Sequence, residues 1–295
     1  MIEYHADDYG LFKTQSRHII ECFHKGALNG ISIMPNSPYL KECMDDIEDI
    51  RKDLFVTCHL NFVEGKPLAK DQAGLLTGSD GSFGIGFGKL LLVSYIPFVK
   101  KKYQKQLEKE ISAQLAACSP YMNNGKYRID GHVHFHMLPV VFDALMNVIR
   151  SENLEVSYIR FPREVTAVYS EIKGKTRDFK PINYLKVFIL NRLADRNERK
   201  YGEILRNMRV EEKLFMGVML SGHMFYENVQ PCLTKAYEVM GDKGLRDLEI
   251  LFHPGDVTEP SEVSQITSKD DLDFLTHNSK NREREAQALL AFGEK

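Results

Sequence analysis

Four short stretches of this chain hold residues able to do acid–base or metal chemistry. The first is His5-Ala6-Asp7-Asp8-Tyr9-Gly10, with two adjacent carboxylates. The second is Cys58-His59-Leu60-Asn61. The third is Asp130-Gly131-His132-Val133-His134-Phe135-His136, and the fourth is Phe252-His253-Pro254. Neighbours at a strand end point to opposite sides, so Asp7 and Asp8 can hold different jobs. His132, His134 and His136 alternate, and on an extended strand all three face one side. Asp8, His59 and one of these three would make a two-histidine, one-carboxylate set, which leaves a position open for water. A divalent cation held there acidifies water and polarises a carbonyl. Asp7 is then free to act as general base, and a separate histidine such as His253 can protonate a leaving amine. The chemistry that fits is metal-assisted amide hydrolysis. The plainer alternatives are an Asx turn at Asp7-Asp8 and buried core histidines elsewhere.

The elements that must position these groups alternate in type. Strands are expected over 1–4, 30–35, 54–61, 127–135, 155–161, 214–220 and 247–252, from short apolar runs bounded by turn residues. Helices are expected over 13–25, 39–51, 100–119, 139–150, 184–207, 229–240 and 282–292. Seven strands joined by helices imply parallel pairing through right-handed crossovers, in a closed or nearly closed α/β barrel. Asp7, Asp8, Asn36, His59, His132, Arg160, Arg163, His223 and His253 then fall at C-terminal strand ends, where α/β barrels carry their sites. Residues 171–213 break this rhythm with twelve Lys or Arg against seven Asp or Glu. They form an insertion on the expected single domain of 1–295. It is expected to cover the barrel mouth or make a subunit contact, and to supply no metal ligand. The glycine-rich stretch 64–88 lacks both phosphate-binding fingerprints and suggests a lid or substrate loop. The helix from Lys100 opens with Lys100, Lys101, Lys102 and Lys105, a solvated basic face.

Composition narrows the class. A chain of 295 residues with 43% hydrophobic content can bury a large core, and a net charge of −2 gives no general affinity for nucleic acid. Five scattered cysteines without a CxxC pair suggest reduced thiols and a cytoplasmic setting. No signal peptide is visible, and the longest apolar run, Leu90 to Val99, is too short to span a bilayer, which takes about 20 residues.

The four stretches, together with Arg160-Phe161-Pro162-Arg163-Glu164, resemble the ordered motifs of the YdjC-like carbohydrate deacetylases, the family that includes the chitooligosaccharide deacetylases. The resemblance runs from residue 4 to residue 255. It implies an incomplete or distorted (β/α) barrel of the polysaccharide-deacetylase kind. It implies one divalent metal, zinc or magnesium, on Asp8, His59 and His132. It also implies a base at Asp7 and an acid or orienting role for His253. Asn36, Asn61, His134, His136, Arg160, Arg163 and His223 are candidates for substrate binding. The implied activity is removal of an N-acetyl group from an amino-sugar or oligosaccharide, by a cytoplasmic protein that could form a homodimer. Two departures stand out: Tyr9 takes the place of phenylalanine, and the glycine-rich stretch and the insertion exceed the compact members. The competing readings are a metal-dependent hydrolase of another amide or a phosphoester, and a non-catalytic carbohydrate-binding relative. Phosphatase sites more often hold two metals and need more carboxylates than Asp7-Asp8 supplies.

Overall fold

The computed structural model describes residues 2–172, 178, 180–277 and 279–294. Seven parallel strands form one curled sheet: β1 (Glu3–Tyr9), β2 (Gly30–Ile33), β3 (Phe55–Leu60), β4 (Tyr127–Gly131), β5 (Val156–Ile159), β6 (Leu214–Met216) and β7 (Leu248–Phe252). Their spatial order is β5-β4-β3-β2-β1-β7-β6. The sheet is therefore an incomplete barrel, open between β5 and β6. Just before β6, Glu211 bridges Tyr158 in parallel fashion, and its N–H donates to the Ser157 carbonyl at 2.7 Å. That single rung nearly closes the gap.

Strand alternation sorts the residues into two faces. Tyr4, Ala6, Ile31, Ile33, Val56, Cys58, Ile129, Ile250 and Phe252 are buried on the apolar face. Glu3, His5, Asp7, Ser32, Thr57, His59, Arg128, Asp130, Tyr158, Arg160 and Glu249 share the other register and are also buried. The barrel interior is thus an ionic and hydrogen-bonded layer. Gly30 is required in it: a Cβ there would lie 2.4 Å from the His5 ring nitrogen.

The outer face is covered by α1 (Lys13–Lys25), α4 (Pro97–Cys118), α5 (Pro139–Ser151), α6 (Pro181–Asn207), α7 (Tyr226–Arg246) and α10 (Ser279–Gly293), with short α2 (Leu40–Asp45) and α3 (Phe87–Val93) between them. Two more short helices, α8 (Pro260–Val263) and α9 (Lys269–Leu272), follow β7. Neither has the periodic apolar stripe that marks a helix in sequence. Among the described residues, no helix is long and apolar enough to cross a membrane. All five cysteines are buried free thiols.

Two expectations are corrected. The strand expected over 1–4 extends through the carboxylate pair to Tyr9. The strand expected to Leu220 ends at Met216, because the N–H groups of Gly217, Val218 and Met219 turn to the Glu164 carboxylate at 2.6, 2.5 and 3.0 Å. The stretch 64–88, read as a lid or substrate loop, is tied to α4 along its first part. Glu110 of α4 accepts from Leu68 and Ala69 N–H, and Gln106 accepts from Leu75 N–H.

One buried carboxylate fixes α6 in place. Asp143 of α5 accepts from Lys100 of α4 at 2.6 Å, and from Arg196 and the Tyr201 hydroxyl of α6, both at 2.9 Å. Burial alone would raise its pKa, but these cations hold it below the usual carboxylate range. Its stabilisation is therefore present above the ordinary Asp value of 3.8 and is lost as pH falls through the lower folded value. Asp143→Asn should cost about 1–3 kcal/mol at neutral pH in urea unfolding. The gap from wild type should shrink in acid, and a gap independent of pH would show that the ion pairs contribute nothing.

Candidate active site

The first carboxylate pair does not obey simple alternation. Asp8 has φ +68, and the β1–β2 register shifts between Ala6 and Tyr9. This local twist swings Asp8 inward beside Asp7. His59 Nε2 then sits 3.4 Å from Asp8 Oδ1 and 3.8 Å from Asp7 Oδ2. His132 Nδ1 is 2.8 Å from the same Asp8 Oδ1. Donor atoms of Asp8, His59 and His132 all lie within 4.8 Å of one another.

Each imidazole is held from behind by a further carboxylate. Asp130 Oδ1 is 2.7 Å from His59 Nδ1. Asp271 of α9 lies 3.1 Å from His132 Nε2. Carboxylates behind histidines fix the tautomer and ring orientation that a metal needs. Two other clusters, Glu3-His5-Glu249 and His5-Asp7-Asp130, also meet the distance limit. Their carboxylates, however, are bound by Arg128, Lys213 and Arg160. Among the described residues only the Asp8-His59-His132 group could hold a cation without displacing an arginine or lysine. His59 Nε2 is buried and has no hydrogen-bond partner there.

The electrostatics agree. Burial would raise the Asp8 pKa, but His132 and His59 hold it well below the usual range. Burial would lower that of His59, yet Asp130 and Asp7 raise it to about 10. Asp271 and Asp8 likewise hold His132 well above its ordinary value despite its burial. The cluster carries surplus negative charge and attracts a positive one, proton or metal, in competition.

Asp7 is held differently. Arg160 Nη1 donates to its Oδ2 at 2.9 Å and Nη2 to its Oδ1 at 3.0 Å. The same guanidinium contacts Asp130 at 2.6 Å and Glu249 at 2.5 Å. Burial opposes ionisation of Asp7, and Arg160 more than offsets it, so the pKa falls. His253 lies one residue beyond Phe252, which pairs with Ala6 across β7 and β1. Its N–H donates to Glu285 of α10 at 2.7 Å and its carbonyl accepts from Arg282 at 3.0 Å. Phe274 packs edge-on against its ring at 5.2 Å. Burial pushes its pKa down to about 4, and Asp8 and Asp7 only partly oppose this.

These groups open into a cavity of about 660 Å³, lined on the chemical side by Asp7, Asp8, His132, His134, His253 and Asp271. The opposite wall is apolar and comes from Phe87, Val133 and the α6 residues Ile182, Leu185 and Ile189. A larger open groove between α4 and α5 holds none of these groups.

The histidine triplet is not an extended strand. β4 ends at Gly131, and Val133 and His134 take left-handed φ of 49° and 56°. The three rings therefore part. His134 lines the cavity against Phe215, with Nδ1 unpartnered and its pKa held well below the ordinary value by burial and Arg160. His136 turns away and binds the Arg160 carbonyl at 2.8 Å. Several residues expected to touch substrate lie elsewhere. Asn61 donates to Asn36 at 2.8 Å and to the Glu64 carbonyl at 2.7 Å, which braces the loop after β3. Arg160 is fully buried in its ion pairs. Arg163 pairs with Asp195 and Glu198 of α6, and His223 contacts the Ser221 carbonyl at 3.2 Å. None of Asn36, Asn61, His136, Arg160, Arg163 and His223 lines the cavity. The described part of 171–213 supplies apolar wall residues and no member of the clusters, while 173–177 and 179 lie outside the described residues. Asp130 had no assigned role and Asp271 was missed. Ser268-x-x-Asp271, in which Ser268 accepts from the Asp271 N–H, is the capping signal that could have marked α9.

Comparison with known proteins bears on the family and the fold. The YdjC-like protein family model matches residues 2–291, and the chain belongs to that family. A carbohydrate deacetylase of Danio rerio is 27% identical over 162 residues, covering 54% of this chain and 49% of that protein. One from Thermoanaerobacter pseudethanolicus is 28% identical over 152 residues, covering 51% and 57%. The chain thus spans about half the length of these curated relatives. A chitooligosaccharide deacetylase of Yersinia pestis is 24% identical over 258 residues, covering 84% and 79%. A crystal structure from Enterococcus faecalis, described as a cellobiose-phosphate cleavage protein, matches with TM-score 0.60 at 16% identity. It covers 98% of this chain and 90% of that one, and shows the same fold.

Removing the central cation tests the electrostatic account. Arg160→Met leaves Asp7, Asp130 and Glu249 uncompensated in the interior. It should destabilise the protein by about 3–5 kcal/mol in urea unfolding at neutral pH. Unchanged stability would show that other groups neutralise the three carboxylates.

Proposed function

We propose that this chain is a metal-dependent carbohydrate deacetylase that removes an N-acetyl group from an amino-sugar or oligosaccharide derivative. The observation that carries the reading is the unpartnered, buried His59 Nε2 facing Asp8 and Asp7 beside His132. Family membership and the deacetylase relatives support the substrate class. Asp8, His59 and His132 would hold one divalent ion, and their oxygen-plus-imidazole donors suit zinc best. Such an ion supplies a Lewis acid that polarises the acetyl carbonyl and acidifies water.

The chain's own residues do the rest. Asp7, kept ionised by Arg160, takes the proton of the attacking water. Asp130 and Asp271 keep the two imidazoles turned toward the ion site. His253 is held neutral by burial, so it does not stand ready as an acid. It takes over the proton that Asp7 removed from the water, as negative charge develops beside it, and passes that proton to the leaving nitrogen, which returns Asp7 to its ionised form. The apolar wall from α6 keeps bulk water from the acyl group. The test of function is acetate release, screened over N-acetylated amino sugars and chitooligosaccharides. Absence of acetate from all of them would overturn the reading.

Metal content checks the ligand set. His59→Ala and His132→Ala should each abolish stoichiometric zinc in the purified protein. Asp271→Ala should keep the fold but weaken zinc affinity by about 10–100-fold in a chelator competition. Full occupancy in both histidine variants would remove this site from consideration.

The pH profile checks the proton path. Asp7→Asn should lose about 10²–10⁴-fold in kcat while keeping fold and metal. With His253 at about 4 and Asp7 lower than usual, kcat/KM should show no limb near the ordinary histidine value of 6.5. It should fall only in acid, where Asp7 takes up a proton and no longer serves as base. His253→Ala should slow an N-acetyl substrate far more than an activated aryl acetate, whose leaving group needs no proton. A limb at 6.5 that vanishes in His253→Ala would show instead that His253 works from its protonated form.

A further inference from the structure

Two segments beside the cavity mouth expose large apolar side chains. The first joins α3 to α4 and shows Leu92, Tyr95, Ile96 and Phe98, the last 89% exposed. The second is the first half of α6, with Ile182, Leu185 and Phe188 each more than half exposed. Both reach the same rim. Phe87, which opens α3, lines the cavity together with Ile182, Leu185 and the exposed Val133. Lys100 at the start of α4 and Arg196 of α6 also meet at one carboxylate, Asp143.

Within the two segments the charge has one sign, and the acids Asp270 and Asp271, which also line the cavity, come from α9. Residues 89–107 hold Lys89, Lys100, Lys101, Lys102 and Lys105 and no acidic residue. Residues 180–194 hold Lys180, Lys186 and Arg192, again with no acidic residue. Lys89, Lys101, Lys102, Lys105 and Lys186 are exposed, and Arg192 stacks over the Phe188 ring at 5.2 Å. The whole chain carries a net charge of −2, so this basic rim is a local feature.

We infer that this rim docks the cavity mouth onto an anionic lipid bilayer. Side chains such as Phe98, Tyr95, Leu92 and Leu185 enter the interface, and the lysines meet acidic headgroups. The combination selects the occupant. A second copy of this chain, docked face to face, would bring two sets of lysines together and meet like-charge repulsion. A nucleic acid would take the lysines and leave the aliphatic side chains in water. A bilayer with acidic lipids accepts both, as interfacial segments with basic flanks do. The inference is independent of the catalytic reading, because it concerns only surface residues outside the ion cluster.

The chain contains no tryptophan, so Phe98→Trp provides a single fluorescent reporter at the most exposed position. Its emission should shift to the blue with vesicles of phosphatidylcholine plus phosphatidylglycerol, and not with phosphatidylcholine alone. In flotation, the wild type should follow the acidic vesicles and release in high salt. The triple change Leu92→Ser, Tyr95→Ser, Phe98→Ser should weaken binding at least tenfold without altering thermal unfolding, since these side chains are exposed. Each of Lys101→Gln and Lys102→Gln should weaken it roughly fivefold. Wild type left behind by acidic vesicles overturns the proposal. So does binding that ignores the triple change, which would mean simple polyanion attraction. A dimer that the triple change dissolves, with no vesicle binding, would assign the face to a second copy instead.

Discussion

The Arg160 guanidinium is the contact on which the rest of the architecture depends. It leaves the end of β5, at one edge of the sheet, and crosses the interior to Asp7 of β1, Asp130 of β4 and Glu249 of β7. β5 and β6 are not hydrogen-bonded to each other as strands. The barrel is closed across that gap mainly by charge: Arg160 to Glu249, the Tyr158 hydroxyl to Glu249, and Arg128 and Lys213 to Glu3. Buried ion pairs of this kind are costly to desolvate and only modestly stabilising in net terms. Their use here is geometric. They place three carboxylates from three strands around one cation, with their orientations set.

The same network decides which carboxylates are left for a labile cation. Arg160, Arg128 and Lys213 satisfy Glu3, Glu249, Asp7 and one oxygen of Asp130. Among the described residues, Asp8 and Asp271 receive no such partner and instead face the two imidazoles. Negative charge is thus surplus at one end of the interior only. Adjacent residues Asp7 and Asp8 end up with opposite duties for this reason: one is tied to a fixed cation and the other is available to a labile one. Asp130 links both halves, giving Oδ1 to His59 and Oδ2 to Arg160 and Ser32.

Much of this was legible in the chain. The strand rhythm gave seven parallel strands in a closed or nearly closed barrel, and the family resemblance gave the incomplete barrel and the choice of His132, which lies together with Asp8 and His59. What escaped the sequence had local physical causes. Glu164 captures three successive N–H groups and cuts β6 short, a long-range bond that no apolar pattern reveals. Arg160 looks like a surface substrate clamp in sequence, because its three carboxylates come from distant strands. Asp271 sits in a short polar stretch with no periodicity. Its placement over His132 depends on Glu64, which binds Thr267 and Ser268 N–H at 2.7 and 2.8 Å.

Backbone strain gathers where these side chains meet. Asp8, Val133 and His134 all take positive φ, and Val133 is β-branched, for which that region is strongly disfavoured. Relaxing Asp8 to an ordinary strand conformation would restore alternation and turn its carboxylate toward the apolar face, away from His59. Relaxing Val133 and His134 would extend β4 and put His134 and His136 beside His132. Three rings would then crowd one face, and the Arg160 carbonyl would lose the His136 bond. The strain is therefore what separates one histidine from its two neighbours and one aspartate from the other. It is held in place by contacts that relaxation would break: Asp8 to His132, His136 to the Arg160 carbonyl, and the His134 ring against Phe215. The ion site exists because the surrounding network holds the backbone in conformations the chain would otherwise leave.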